Sequence, residues 1–378
     1  MFIIKDDIRK YGNLMILEAL DLPKIYDLNS FGREIGLSNT ILYLLSQKTE
    51  RFYKQTKIPK KKSGTRQISI PSISMKIVQK WILINILEKI PISNYAMAFR
   101  KGSKYGIKTN AELHKYNECI IRIDLKDFFN SIEKEKVFYL FKSIGYNNLI
   151  SNILTNICTL DGCLPQGALT SPILSNLICR NLDRRLEGLC SKRDMIYTRY
   201  ADDIILSCNN EVLLIKTKKI VSAILCDEGF KINQSKVKFM GVSSAKRVTG
   251  LHIEENKVVV PRMLKRKVRT MIHHTIVVGD YSEIDKIKGY IAFISSIEQN
   301  YRKKVIEYIN KITSKQQYRI FKEIVDGYNS NKILKECKDM EYFNEECNED
   351  IENDFYSERE NFINMLLKEK NDTGSYGE

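Results

Sequence analysis

Three acidic residues stand where carboxylates can handle phosphate. Asp124 closes the apolar run IIRID, and Asp202 and Asp203 lie at the corner of YTRYADDIIL. An isolated Asp-Asp pair is most simply a solvated turn. This pair sits between two apolar stretches directly after Tyr200-Ala201, where a tight corner exposes adjacent side chains, and a third acid ends another strand. Three carboxylates gathered at one point repel one another and take up protons unless a countercharge is present. Two Mg²⁺ ions about 3.5 to 4 Å apart would neutralise them and create a site for in-line phosphoryl displacement. One ion would activate a hydroxyl nucleophile while both hold an incoming triphosphate.

For these acids to meet, the elements carrying them must pair. From Cys119 to Ala245 strands and helices alternate: IIRID reads as a buried strand, and MIYTRY and DIILSC as two strands around a two-residue corner. Between them, Ser131 is placed to cap a helix running to about Phe141. Ser171-Pro172 offers a cap and an N1 proline to one long helix with apolar positions from Ile173 to Leu189. Upstream, residues 1–50 read as helices with turns. The stretch SFGREIGLSNTILYLL could pass for a helix-turn-helix, but its second helix offers mostly Ile, Leu and Tyr, which suits packing better than base reading. Phe52–Ile58 and Arg66–Ile70 flank KKKSG, a hairpin signature whose basic tip is either solvated or meets phosphates. Met75–Ile90 suggests an amphipathic core helix, and beyond Pro261 three helices are expected over 262–278, 282–297 and 300–314.

Charge points to the partner. Sixty-one Lys and Arg against 46 Asp and Glu give the 378-residue chain a net charge of +15. Residues 339–378 hold thirteen acids and three bases, so the preceding body carries 58 bases against 33 acids, a net of +25, and is the part suited to a polyanion such as nucleic acid. Nine cysteines without a CxxC pair argue against a disulfide framework or a zinc site. With no long apolar run and acids in the opening MFIIKDDIRK, the expectation is a cytoplasmic protein without membrane association.

At the level of whole motifs, Tyr200-Ala201-Asp202-Asp203 resembles the YxDD box of reverse transcriptases. RIDLKDFFNSI (122–132), LPQGALTSPILSNL (164–177) and EGFKIN (228–233) follow that family's palm blocks in order and spacing, and RQISIP (66–71) resembles its first fingers block. The resemblance covers roughly residues 50–315. It narrows to bacterial retron reverse transcriptases, in the group II intron-like superfamily, through Asn110-Ala111-Glu112-Leu113-His114, similar to their NAxxH motif, and Val248-Thr249-Gly250, similar to their VTG motif. One departure is Leu169, where the family often has proline.

What the resemblance implies is an α+β right-hand polymerase. Its parts would be a helical N-terminal extension (1–50), fingers (51–118), palm (119–260), helical thumb (261–315) and a C-terminal extension with an acidic helical tail (316–378). Asp124, Asp202 and Asp203 would be catalytic and hold two Mg²⁺ ions, with the Leu125 carbonyl as a further ligand. Arg66, Phe129, Gln166, Gly167 and Lys236 would line the nucleotide site: Arg66 clamping the triphosphate, Phe129 excluding a ribose 2′-OH, and Lys236 protonating pyrophosphate. Asn110, His114, Arg247, Val248, Thr249 and Gly250 would contact RNA or primer, with scaffolding an equal reading for Asn110 and His114.

By the same resemblance the enzyme would bind a cognate structured non-coding RNA and prime from the 2′-OH of a specific guanosine. From dNTPs it would make RNA-linked multicopy single-stranded DNA (msDNA), serving anti-phage defence with a separate effector protein. Another bacterial reverse transcriptase, or a basic RNA-binding regulator with a degenerate palm, are the rivals; the presence of all three acids disfavours the regulator. Apolar residues at every fourth position from Phe343 to Phe355 suggest that the acidic tail is a helical docking element.

Overall fold

The computed structural model describes residues 13–59 and 64–316. The chain divides into two compact units, Met1–Pro261 and Arg262–Glu378. The acidic tail and the hairpin tip at 60–63, with Lys60, Lys61 and Lys62, lie outside the described residues.

The first unit is organised on a four-stranded antiparallel sheet of β3 (Cys119–Asp124), β4 (Ile196–Tyr200), β5 (Asp203–Cys208) and β6 (Lys238–Met240), in the order β4-β5-β3-β6. Continuous apolar runs rather than alternation form β3 and β5 because both faces of the sheet are covered. Ile121, Ile123, Ile204 and Leu206 join the main core, which also takes in residues of α6 (Lys134–Ser143), α7 (Asn148–Cys158), α8 (Ser171–Ile178), α9 (Arg180–Ser191) and α10 (Glu211–Asp227). Residues of the opposite parity, among them Ile120, Ile205, Thr198 and Ser207, are also fully buried. On that side His114, which ends α5 (Ile107–Leu113), meets Thr198 and Ser207.

Two expected helices start or end differently. The Ser131 hydroxyl donates to the Phe128 carbonyl instead of capping, because residues 127–131 close a turn (Ser131 N–H to the Asp127 carbonyl, 2.9 Å; Asp127 φ 47°), so α6 begins at Lys134. The single helix expected after Ser171 is two: α8 stops at Ile178, and a break at Cys179 lets α9 begin. Thr170, not Ser171, occupies the N-cap position, and Pro172 lies in the first turn.

N-terminal to the sheet, residues 13–19 are helical (α1), and α2 (Leu28–Ile35) and α3 (Asn39–Gln47) follow. Asp27 caps α2 by accepting the Ser30 N–H at 2.7 Å, and Ser38 caps α3. Leu42 and Leu45 of α3 are buried against the rest of the unit, and Thr49 just after it donates to the Asn156 carbonyl of α7 at 3.2 Å. The second helix of the would-be helix-turn-helix is therefore committed to packing. β1 (Tyr53–Pro59) and β2 (Thr65–Pro71) form the expected hairpin, and Ser72 caps α4 (Ile73–Asn85).

A small meander of β7 (Lys246–Val248), β8 (Leu251–Glu254) and β9 (Lys257–Val259) closes the first unit. Its first turn pairs Val248 with Leu251 across Thr249 (φ 46°) and Gly250 (φ 86°). Two successive left-handed residues are the signature of a type I′ turn, which explains the glycine. The second unit is a bundle of α11 (Arg262–Val278), α12 (Ile284–Ile297) and α13 (Tyr301–Gln316), packed through Val268, Ile272, Ile276, Ile291, Ile294 and Ile309.

Candidate active site

Strand pairing brings the acids together. Asp124 and Asp203 are opposite one another in the β3–β5 register, and Tyr200 pairs with Asp203, leaving Ala201 and Asp202 as the two-residue hairpin turn. Ala201 takes a left-handed φ of 56°, unusual for a residue with a Cβ. The Leu125 N–H donates to the Asp202 carbonyl at 2.9 Å, which ties the turn to the end of β3. Beyond it, the Lys126 N–H reaches the Lys231 carbonyl at 2.7 Å and the Asn233 N–H reaches the Asp124 carbonyl at 2.8 Å, stitching the EGFKIN segment to the same corner.

The three carboxylates are not equivalent. Lys236 Nζ lies 2.9 and 3.2 Å from the two Asp124 oxygens. Arg122, two residues before Asp124 on the same strand, forks onto Asp203 with Nε to Oδ1 at 2.9 Å and Nη2 to Oδ2 at 2.8 Å. Burial raises the Asp202 carboxyl above its ordinary range, and the charge of Asp124 adds to this while Lys236 and Arg66 oppose it. Asp203 is also raised, first by burial, against the pull of Arg122. A buried acid beside another acid is a place where a divalent cation relieves both desolvation and repulsion, so the donor set fits a metal. Among the described residues no group of three His, Cys, Asp or Glu side chains is arranged as a complete metal cage.

The residues expected at the nucleotide site come from four separate segments: β2, the 127–131 turn, the loop before α8 and the turn that holds Lys236. Arg66 is exposed on β2, and its charge acts on Asp202. β2 is joined to the LPQGALTSP loop by the Ser69 N–H, which donates to the Gln166 carbonyl at 2.8 Å. Gly167 follows at φ 126°, and a Cβ there would lie 2.5 Å from the Ser69 carbonyl oxygen, so only glycine permits this approach. Leu169, the departure from proline, donates its N–H to Gln79 Oε1 at 3.3 Å, a bond proline cannot make. Phe129 is half-buried, its ring centroid 6.2 Å from that of Phe99 and 5.4 Å from that of Phe128, whereas Phe128 is core.

The expected RNA contacts divide. Asn110 and His114 are fully buried, which favours the scaffolding alternative over direct contact with RNA. His114 Nδ1 meets Ser207 Oγ at 2.6 Å and Nε2 meets Thr198 Oγ1 at 2.7 Å, clamping α5 to the back of the β4–β5 hairpin. Burial pushes the imidazole down to about 3, so it is neutral at physiological pH. Val248 is also buried, while Arg247 and Gly250 are exposed and Thr249 is half-buried. Thr249 Oγ1 donates to the Ile107 carbonyl at 3.1 Å, which ties the Val248-Thr249-Gly250 turn to the first residue of the helix that carries Asn110. An open cleft of about 800 Å³ runs from Arg122 and Asp203 past Phe239 and His252 to Arg247, Thr249 and Gly250.

Sequence reasoning missed Arg122 as the partner of Asp203, although its i, i+2 relation to Asp124 places both side chains on one face of the strand. It also missed Arg199, whose signal was a charge inside an apolar strand.

Comparison with known proteins agrees with this geometry. The family model of reverse transcriptase (RNA-dependent DNA polymerase) matches residues 58–270. The chain is 38% identical over 308 residues to the retron Ec86 reverse transcriptase of Escherichia coli, covering 81% of this chain and 95% of that one. It is 34% identical over 275 residues to the retron Ec73 reverse transcriptase of the same species, covering 67% and 85%. Among solved structures, a telomerase from Candida albicans aligns over 69% of this chain and 58% of its own with 12% identity and a TM-score of 0.44, too distant a likeness to bear on function. The chain belongs to the reverse transcriptases, RNA-directed DNA polymerases with a right-hand polymerase fold, and within them to those of retrons. No described helix is long and apolar enough to cross a membrane.

Proposed function

We propose that this enzyme copies part of a cognate structured non-coding RNA into DNA, priming from the 2′-OH of a specific guanosine and leaving the product attached to the RNA as msDNA. The observation that carries the chemistry is the meeting of Asp124 and the Ala201-Asp202 turn at one end of the sheet. Asp124 and Asp202, with the Leu125 carbonyl, would hold two Mg²⁺ ions, which when bound supply charge neutralisation for the triphosphate and activation of the attacking hydroxyl. Asp203 would act mainly by fixing Arg122. Arg66 would orient the triphosphate as a planar fork of donors. Gln166 and Gly167 would bring backbone close to the incoming dNTP, and Phe129 would exclude a ribose 2′-OH. Lys236, held at Asp124, would donate a proton toward departing pyrophosphate.

The exposed Arg247 and Gly250, with Thr249, would meet the RNA or primer end, supported by α5 through the Thr249–Ile107 bond. An anti-phage role with a separate effector, and location in the cytoplasm, follow from the likeness to retrons. The test is to purify the full chain with its co-purifying nucleic acid and sequence it before and after ribonuclease and debranching treatment. A single-stranded DNA joined to RNA at a guanosine 2′ position supports the reading. DNA begun from a 3′-hydroxyl overturns the priming step while leaving the polymerase intact.

A further inference from the structure

A second set of residues, none of them among the expected site residues, converges beneath the catalytic turn. Arg199 is fully buried, as are Asp183 of α9 and Asn176 of α8. Arg199 Nε donates to Asp183 Oδ1 at 2.7 Å and Nη2 to Asp183 Oδ2 at 2.9 Å. Its remaining nitrogen, Nη1, reaches Asn176 Oδ1 at 3.2 Å and the Ala201 carbonyl at 3.3 Å. The Tyr197 hydroxyl adds a third bond to Asp183, at 2.7 Å. The backbone of Arg199 is gripped as well: its N–H donates to the Tyr95 carbonyl at 2.9 Å, and its carbonyl accepts from the Met97 N–H at 2.8 Å. Asn176 completes the set by donating Nδ2 to the Ala98 carbonyl at 2.9 Å.

Stability alone does not account for this cluster. Desolvating a guanidinium and a carboxylate consumes most of what their attraction returns, and packed apolar side chains of equal volume would serve a core as well. What an apolar core could not do is hold the Ala201 carbonyl. Ala201 is the residue forced into a left-handed conformation, and the next residue is Asp202. A lysine in place of Arg199 offers one point of charge and cannot span Asp183, Asn176 and Ala201 together. Asn176 sits on the helix that follows the Gln166-Gly167 loop, so one guanidinium links the aspartate turn to the helix behind the nucleotide loop.

We propose that Arg199, clamped by Asp183 and Asn176, is a positioning group that sets the Ala201-Asp202 turn and thereby the aim of the Asp202 carboxylate. The proposal rests on the reading of Asp202 as a metal-holding residue. Its distinctive consequence is that relieving the strain at Ala201 should compensate for a weakened clamp. Glycine adopts a left-handed φ freely, so the turn would need less support.

The test uses the full chain with its RNA. Arg199→Lys, Ala201→Gly and the double variant are compared for kcat and KM for dNTP, for Mn²⁺ affinity by electron paramagnetic resonance, and for thermal unfolding. Arg199→Lys is expected to lower kcat roughly 10- to 100-fold with KM changed less than about threefold, and to weaken Mn²⁺ binding several-fold. Ala201→Gly should raise kcat and Mn²⁺ affinity at least about tenfold more in the Arg199→Lys background than in the wild type. Should Arg199→Lys fail to fold, Tyr197→Phe, which removes one hydroxyl from Asp183, takes its place and should show a smaller loss with the same compensation. A folded clamp variant with wild-type kcat and Mn²⁺ affinity, or a loss that Ala201→Gly does not reduce, overturns the proposal. Asp202→Asn serves as the control: if it still extends and binds Mn²⁺ normally, the reading of Asp202 fails, whereas an inactive Asp202→Asn beside an unimpaired clamp variant sinks the positioning role alone.

Discussion

Arg122 holds both oxygens of Asp203, at 2.9 and 2.8 Å, whereas the adjacent Asp202 has no basic side chain bonded to it among the described residues. Two neighbouring acids in one motif are thereby given different work. Asp202 remains available to a cation, and Asp203 neutralises a half-buried arginine at the mouth of the cleft that leads to Thr249.

This division predicts unequal variants. Asp202→Asn and Asp124→Asn should each reduce kcat for RNA-templated extension by about 10³-fold or more, the scale of losing a group that stabilises transition-state charge. RNA association should persist because phosphate contacts are spread over the +25 body. Asp203→Asn should cost less, and pairing it with Arg122→Gln should recover part of the loss, since the single change leaves a guanidinium without its counterion. A double-mutant cycle in single-turnover extension measures the coupling, and additive losses would refute it.

Lys236 contributes charge at the other acid. With its ammonium 2.9 Å from Asp124, it would compete with a divalent cation for the same oxygens. If Lys236 is the proton donor proposed above, Lys236→Gln should lower the Mg²⁺ concentration for half-maximal activity, by removing a competing charge, while also lowering kcat. A Mg²⁺ titration of both proteins separates the two effects, and an unchanged midpoint would show that the ammonium leaves Asp124 once substrate binds.

Much of this corner was legible in the sequence, and the reason is local. YADD between apolar strands, IIRID and the Thr249-Gly250 turn each declare their backbone through patterns of a few residues. Other features depended on tertiary partners. That His114 faces inward toward Ser207 and Thr198 could not follow from helix periodicity, since the polar groups that satisfy the imidazole lie more than eighty residues away. The break at Cys179 is similarly silent, with neither glycine nor proline there. Ser131 was misread because its hydroxyl satisfies a carbonyl within a preceding turn, a competition that the capping pattern does not register.

The nucleotide loop supplies a steric prediction. Gly167→Ala would set a Cβ 2.5 Å from the Ser69 carbonyl at a φ that disfavours any side chain, so β2 and the loop must part. KM for dNTP should rise about tenfold or more, since β2 also carries Arg66. Phe129→Ala acts differently: it should raise the ratio of kcat/KM for ribonucleotides over deoxynucleotides without a large loss of dNTP use. An unchanged ratio in a folded variant would return Phe129 to a packing role with Phe99 and Phe128.

His114 makes stability depend on pH in a calculable direction. The folded protein holds the imidazole neutral down to about 3, whereas in the unfolded chain it takes up a proton near 6.5. Below that value the unfolded state binds a proton the folded state refuses, so stability is lost as pH falls. Between pH 7 and pH 5 the loss from this one group is about 2 kcal/mol. His114→Gln should be less stable at pH 7, having lost a bond between the two strands, yet its further decline toward pH 5 should be smaller by that amount. Urea unfolding of both proteins at the two pH values gives the difference, in which the carboxylates common to both cancel. Parallel declines would mean that the ring is protonated in the folded protein, and hence that the pocket formed by Thr198 and Ser207 opens to water.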